Sequence, residues 1–277
     1  MYGIEWEQPA IIAEGLAQTA IHTTYVGDFL TRVEKRASEN QIRGRVIVSE
    51  LLEKVHSDQR FVNSVRSGNP NDILNGVEVV CPDEAIEYLS QVKVEPDKLE
   101  EMVVENIHTA AYMASASVFH PPNDPRFDFF LIHHLTAAPI LLLINQASWI
   151  PAAVKLRVLE WKNRYDILHY VVRWCPPLRI TSVASYVPKD IDLVDSTEKL
   201  LVRFHGMPDD GHVIKLARAL VIAQHVSRKY GNRPWIRIED DATWLRALYL
   251  LLDSTEKNPS FPWVRSAGWD GAWKELP

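Results

Sequence analysis

Apolar residues recur every three or four positions through nearly the whole chain, and prolines end one such run after another. This spacing predicts helices, and no strand pattern competes with it. The helical runs cover residues 10–36 as one long helix, then 46–55, 82–92, 96–119, 127–145, 151–174, 196–204, 210–229 and 240–252. Pro121-Pro122 and Pro176-Pro177 forbid helix around them, Pro139 kinks the 127–145 run, and residues 63–76, rich in Ser, Asn, Gly and Pro, read as a loop. Two weak strand candidates lie around Ile180 and Val187. The expected fold is all-α: a multi-helix, bundle-like array in a single large domain over residues 1–277, with residues 41–101 as a lid or insertion region.

The 277 residues are 47% hydrophobic and 24% charged, enough to bury a sizeable core. With a formal net charge of -6 and no Lys/Arg block, the chain lacks a phosphate-tracking surface, so nucleic acid is not expected as a partner. Cys81 and Cys175 each precede a proline and form no Cys-x-x-Cys pair, which disfavours a disulfide scaffold and a structural zinc site. The start Met-Tyr-Gly-Ile-Glu-Trp-Glu-Gln is unlike a signal peptide, and no run of about 18 uninterrupted apolar residues suggests a membrane span. A cytoplasmic protein without a membrane partner is the expectation.

The stretch 203–220 draws most interest. Pro208, Asp209, Asp210 and Gly211 form a turn cluster, with Asp210 as the expected N-cap of a helix beginning near His212. His212 and Lys215 then share a face with Ala219 and Ile222, a face that looks buried. A histidine and a lysine pointing together into an apolar region need partners, although a lysine can also lay its stem over such a surface and keep its charge in water. His133 and His134, adjacent in the 127–145 run, point about 100° apart, and their flanks do not choose between them. Further back, Glu14, Gln18 and His22 make a polar stripe with Tyr25 one turn on, a pattern that a solvated helix face explains equally well.

Several chemistries are poorly supported. No Gly-x-Gly-x-x-Gly opens a helix, and there is no phosphate loop, Gly-x-Ser-x-Gly elbow or His-Glu-x-x-His helix. What remains is a metal site from scattered histidines, of the kind that holds redox-active non-haem iron and leaves positions open for dioxygen. His212 suits such a site. Lys215 cannot bind metal as an ammonium, but a buried lysine loses its proton more easily and could take up carbon dioxide as a carbamate.

Four segments carry a family resemblance: Gly3-Ile4-Glu5 with residues 8–22, Asp-Phe-Phe-Leu-Ile-His-His-Leu-Thr at 128–136, Arg-Phe-His-Gly-Met-Pro-Asp-Asp-Gly-His-Val-Ile-Lys at 203–215, and Val-Arg-Ser-Ala-Gly-Trp-Asp-Gly-Ala-Trp at 264–273. Together they resemble the questin oxidase-like family, over essentially the whole chain, and Asp-Asp-Gly-His-x-x-Lys is the most specific part. The resemblance implies an oxidoreductase of fungal polyketide secondary metabolism that oxidatively opens anthraquinone-type rings. It also implies an iron dioxygenase centre of four histidines and a carboxylated lysine, or an NADPH-dependent Baeyer-Villiger oxidase, the family's first description. Carried onto this sequence, it assigns His133, His212 and Lys215 as catalytic metal ligands. His22, His205, Tyr25 and Asp210 fall to the second shell or the substrate pocket.

The same resemblance implies that an N-terminal region with further histidines is absent here. The expected cofactor is Fe(II), with NADPH as the alternative co-reactant, and the expected partners are an aromatic polyketide and dioxygen. A truncated, non-catalytic helical interaction protein is the competing class, and the same absence leads to the expectation of an apolar surface along the 10–36 and 127–145 helices.

Overall fold

The computed structural model describes residues 2–22, 26–40, 45–65, 73–189, 192–257, 262–274 and 276. Its centre is the Leu99–Ala116 helix, buried at every residue from Met102 on. Four alanines, Ala110, Ala111, Ala114 and Ala116, let neighbouring helices approach closely along it. The helices Phe129–Ala137, Ile140–Gln146, Ala152–Val172 and His212–Ser227 pack around it, and Asp241–Lys257 packs on the last of these. Leu135, Leu216, Leu220, Leu248 and Leu251 fill the space between them.

A second apolar cluster lies on the other flank. Phe29 and Val33 from Gly27–Glu39, and Leu51, Leu52 and Val55 from Val48–Ser57, meet Leu131 and Ile167 there. Members of the 41–101 region therefore share a core with the helix that carries His133 and His134. The all-helical, single-domain expectation agrees with this architecture.

Three local expectations are corrected. The expected 10–36 helix is two helices, Pro9–Ile21 and Gly27–Glu39. His22 is extended at the end of the first, and Gly27, a poor helix former, opens the second. The second is amphipathic and buries Phe29, Leu30, Val33 and Ala37, whereas the first, mostly apolar but for Glu14, Gln18 and Thr19, buries nothing.

Strand does not form near Ile180. Residues Ile180–Ala184 are a short helix that buries Val183, and Val187 is exposed, so neither offers an edge to pair. The strand present is a parallel pair of two residues each, Phe127 opposite Trp263 and Asp128 opposite Val264. Of the expected 63–76 loop, residues 66–72 lie outside the described residues, and Ile73–Val77 is a π-helical turn with Ile73 and Val77 buried.

One stretch among the described residues, Phe129–Gln146, has the length and composition to cross a membrane, with a mean hydropathy of 1.4. Pro139 divides it, and 33% of it is buried. Its first helix faces the core through Leu131, Ile132, His134 and Leu135.

Burying a histidine in the central helix needs partners, and His108 has them. Its Nε2 accepts from the backbone N–H groups of Arg237 and Ile238 at 2.9 and 3.2 Å. Nδ1–H is thus left to donate to Ser227 Oγ at 3.1 Å, while Trp235 and Trp244 meet the ring edge to face. Burial, then the nearby Arg237 charge, pulls its pKa from 6.5 down to about 3. The unfolded chain therefore takes up a proton that the folded chain refuses below pH 6.5. Stability from this group is complete above that pH and is lost as pH falls toward 3, by up to about 1.4 kcal/mol per pH unit. Urea melts between pH 6.5 and 4.5 should show a shallower pH dependence in His108→Gln than in the wild type, and equal slopes would contradict this.

Candidate metal and ligand site

Asp128 sets the geometry. It is fully buried, and its Oδ1 accepts from the N–H groups of Phe130 and Leu131 at 2.8 and 3.1 Å, capping the Phe129–Ala137 helix. Its Oδ2 accepts from Ser266 and Ala267 N–H at 2.9 and 2.8 Å, holding the C-terminal segment against that helix. Sequence reasoning missed Asp128, yet an aspartate just before an apolar helical run is the signature of an N-cap.

The fold separates the adjacent histidines. His134 turns into the core, where Nδ1–H donates to Asp166 Oδ1 at 2.5 Å. Lys162 Nζ grips both oxygens of Asp166 at 2.5 and 2.6 Å and also reaches the His134 carbonyl at 3.3 Å. Asn106 Nδ2 donates to Asp166 Oδ2 at 3.0 Å. Burial alone would raise the Asp166 pKa, but Lys162 and His134 overcome it and keep the carboxylate ionised. His169 lies 4.4 Å from His134, ring to ring, and neither of its buried nitrogens has a hydrogen-bond partner among the described residues. Burial first, then the charges of His134, Arg173 and Lys162, holds His169 in its neutral form.

His133 points the other way, toward His212. The two rings are 5.1 Å apart, and Phe129 touches both, at 4.7 Å from His133 and 5.1 Å from His212. His133 Nδ1–H donates to the Phe129 carbonyl at 2.5 Å, and His212 Nδ1–H donates to Asp210 Oδ1 at 2.6 Å. Each ring therefore leaves Nε2 without a hydrogen-bond partner among the described residues, and in a neutral ring so bonded that nitrogen carries the lone pair. Burial, with the neighbouring His212 and Lys215 charges, lowers the His133 pKa against the opposing pull of the Phe129 carbonyl. The bond from His212 holds the Asp210 carboxyl below the usual carboxylate range.

The helix starts at His212 as expected, but its N-cap does not. Gly211 occupies that position with φ 95°, a left-handed conformation that suits glycine. Asp209 does the capping, accepting from Val213 and Ile214 N–H at 2.9 and 3.2 Å, and this frees Asp210 to orient the His212 ring. Nor is the His212–Lys215 face buried throughout. Ala219 is buried, but Lys215 is exposed beside Gly211, and the first turn of the helix directs Val213 rather than Lys215 into the core.

His22 and His205 are exposed at the ends of their helices, without a hydrogen bond, ion pair or ring contact of their side chains among the described residues. Tyr25 lies outside the described residues. The C-terminal segment supplies two further groups that sequence reasoning had not singled out. Trp263 stands 6.5 Å from His212, and the Arg265 guanidinium lies 4.9 Å over the Phe129 ring.

A profile described as Questin oxidase-like matches residues 1–220. The chain belongs to the questin oxidase-like family. Among curated relatives in that family's range of function, it is 32% identical over 280 residues to a Baeyer-Villiger oxidase of Emericella nidulans, covering 99% of this chain and 62% of the relative. It is 30% identical over 285 residues to a questin oxidase of Aspergillus fumigatus, covering 99% and 63%, and 30% identical over 268 residues to an oxidoreductase of Aspergillus parasiticus, covering 95% and 53%. The chain thus spans less than two thirds of the length of these relatives.

The donor set can be tested against a metal ion. Among the described residues no three His, Cys, Asp or Glu side chains converge closely enough to hold one. Two imidazoles do meet with Nε2 unbonded among those residues and Nδ1 engaged by a carboxylate or a carbonyl, which is how metal-binding histidines are oriented. The residues present fit part of a metal site.

Asp128→Ala leaves four backbone N–H groups without their two acceptor oxygens and should cost about 3 kcal/mol in denaturant unfolding. It should also raise amide exchange at Ser266 and Ala267, while Asp270→Ala at the exposed Asp270 changes neither. Unchanged exchange at those two amides would show that Asp128 does not hold the C-terminal segment.

Proposed function

We propose that this chain carries part of the iron centre of an oxidoreductase that opens or oxygenates an anthraquinone-type ring with dioxygen in fungal secondary metabolism. His133 and His212 are the proposed imidazole ligands, and Lys215 joins them as a carbamate when covered. The observation that carries this is the pair of oriented rings, 5.1 Å apart, each with Nε2 unbonded among the described residues. The names of the relatives, questin oxidase and Baeyer-Villiger oxidase, support the reaction class. The proposal includes a cytoplasmic setting, which suits two buried free thiols, Cys81 and Cys175.

When bound, Fe(II) would supply the redox chemistry that side chains lack. The chain's own residues do the rest. Asp210 fixes the His212 tautomer, and the Phe129 carbonyl does the same for His133. Phe129 and Trp263 offer a planar ring two apolar walls beside the histidines. Burial first, with the nearby His212 and Lys215 charges, lowers the His133 pKa and so favours its neutral, metal-binding form.

The relatives' Baeyer-Villiger names favour NADPH-linked oxygen insertion as a second reading. The two are separated by assaying hydroxyanthraquinone consumption with Fe(II) alone, with NADPH alone and with both. Anaerobic Fe(II) titration tests the site directly. His133→Ala and His212→Ala should each abolish measurable binding, and Asp210→Asn should weaken it about 10- to 100-fold. Equal affinity in the wild type and both alanine variants would remove the proposed ligands.

A further inference from the structure

Arg265 is an exposed arginine with no ion pair or hydrogen bond of its side chain among the described residues. Arg36, Arg60 and Arg157, also exposed, pair with Glu87, Asp58 and Glu34, whereas Arg179 shares with Arg265 the lack of an ion pair among the described residues. Arg265 instead rests its guanidinium 4.9 Å over Phe129, the ring that touches both His133 and His212. The carboxylates near the site are engaged. Asp128 is saturated by four backbone N–H groups, and Asp210 is held by His212. Lys215 is likewise exposed and free of ion pairs among the described residues.

The backbone holds Arg265 firmly. Val264 pairs with Asp128, Ser266 and Ala267 donate to its carboxylate, and Gly268 N–H donates to the Arg173 carbonyl at 2.9 Å. Ser266 sits at φ 80°, a conformation costly for a residue with a Cβ and kept only where its surroundings impose it. Gly268 approaches so closely that a Cβ there would meet the Trp174 carbonyl oxygen at 2.3 Å. A cation fixed on both sides and left without a counterion has the form of a preorganised anion receptor.

We propose that Arg265 recognises the negative charge of a planar aromatic ligand, a phenolate, carboxylate or sulfonate, whose ring lies along Phe129 and Trp263 beside the two histidines. The guanidinium suits this because it can stack on an aromatic face and still present N–H donors in a fork. This deepens the oxidoreductase reading by naming the ionic form of its substrate, and it rests on that reading only for the reaction, not for the binding.

The test uses the 277-residue chain without added metal and two probes, anthraquinone-2-sulfonate and neutral 2-hydroxymethylanthraquinone, followed by tryptophan fluorescence quenching. The wild type should prefer the sulfonate about tenfold or more. Arg265→Gln should bring the two affinities within about twofold while leaving the neutral probe's affinity unchanged, and Arg265→Lys should fall between. Thermal melts check folding, and if the glutamine variant does not fold the lysine variant decides. No sulfonate preference in the wild type, a preference retained in the glutamine variant, or a preference lost in Lys215→Gln but not in Arg265→Gln would each overturn the proposal. An Arg265-dependent preference without turnover of any hydroxyanthraquinone would leave it standing and count against the oxidoreductase reading. Turnover with no Arg265-dependent preference would do the reverse.

Discussion

A single buried carboxylate places most of what is interesting here. Taking the Asp128 charge out of water would cost several kcal/mol if it were left unpaired, and four backbone N–H groups offset that cost. Two of them belong to the first turn of the helix bearing His133, where the helix dipole also favours a negative group. The other two belong to the segment bearing Trp263 and Arg265. One side chain thus sets both where His133 begins its turn and where Arg265 comes to rest, although the two elements are more than a hundred residues apart in the chain.

The rotation of that helix is set from its opposite face. Because adjacent helical residues point about 100° apart, fixing His134 leaves His133 a single direction. Asp166, with Lys162 one turn before it on the Ala152–Val172 helix, fixes His134 through its ring and its carbonyl. The buried polar network is therefore a positioning device for the exposed histidine. Its stability follows from charge balance: one carboxylate is shared by an ammonium, an imidazole N–H and an amide N–H, so none of the three is buried alone.

This explains how far the sequence could be read. Helix positions were legible because each depends on local spacing, and so was the start at His212, because Pro208, Asp209, Asp210 and Gly211 end whatever precedes it. The choice between His133 and His134 was not legible. Their flanks are alike, and the deciding partner, Asp166, is 32 residues away. The short strand pair was missed for the same reason, since two residues of strand carry no periodicity and their pairing depends on Asp128 reaching Ser266. The exchange of roles between Asp209 and Asp210 turned on the left-handed Gly211, which moved the cap one residue back and left Asp210 to the histidine.

The helix Pro9–Ile21 states the remaining physical tension. Ile11, Leu16 and Ile21 are 49%, 68% and 76% exposed, and Trp6 just before them 65%, an apolar surface that water does not stabilise. The helical turn before it, Tyr2–Glu5, is what touches the core: Tyr2 donates to the Thr136 carbonyl, and Glu5 pairs with Arg218 on the helix of His212. Covering the apolar surface of Pro9–Ile21 would gain roughly 25 cal/mol for each Å² of apolar area removed from water, so hydrophobic area is the driving force available to this helix.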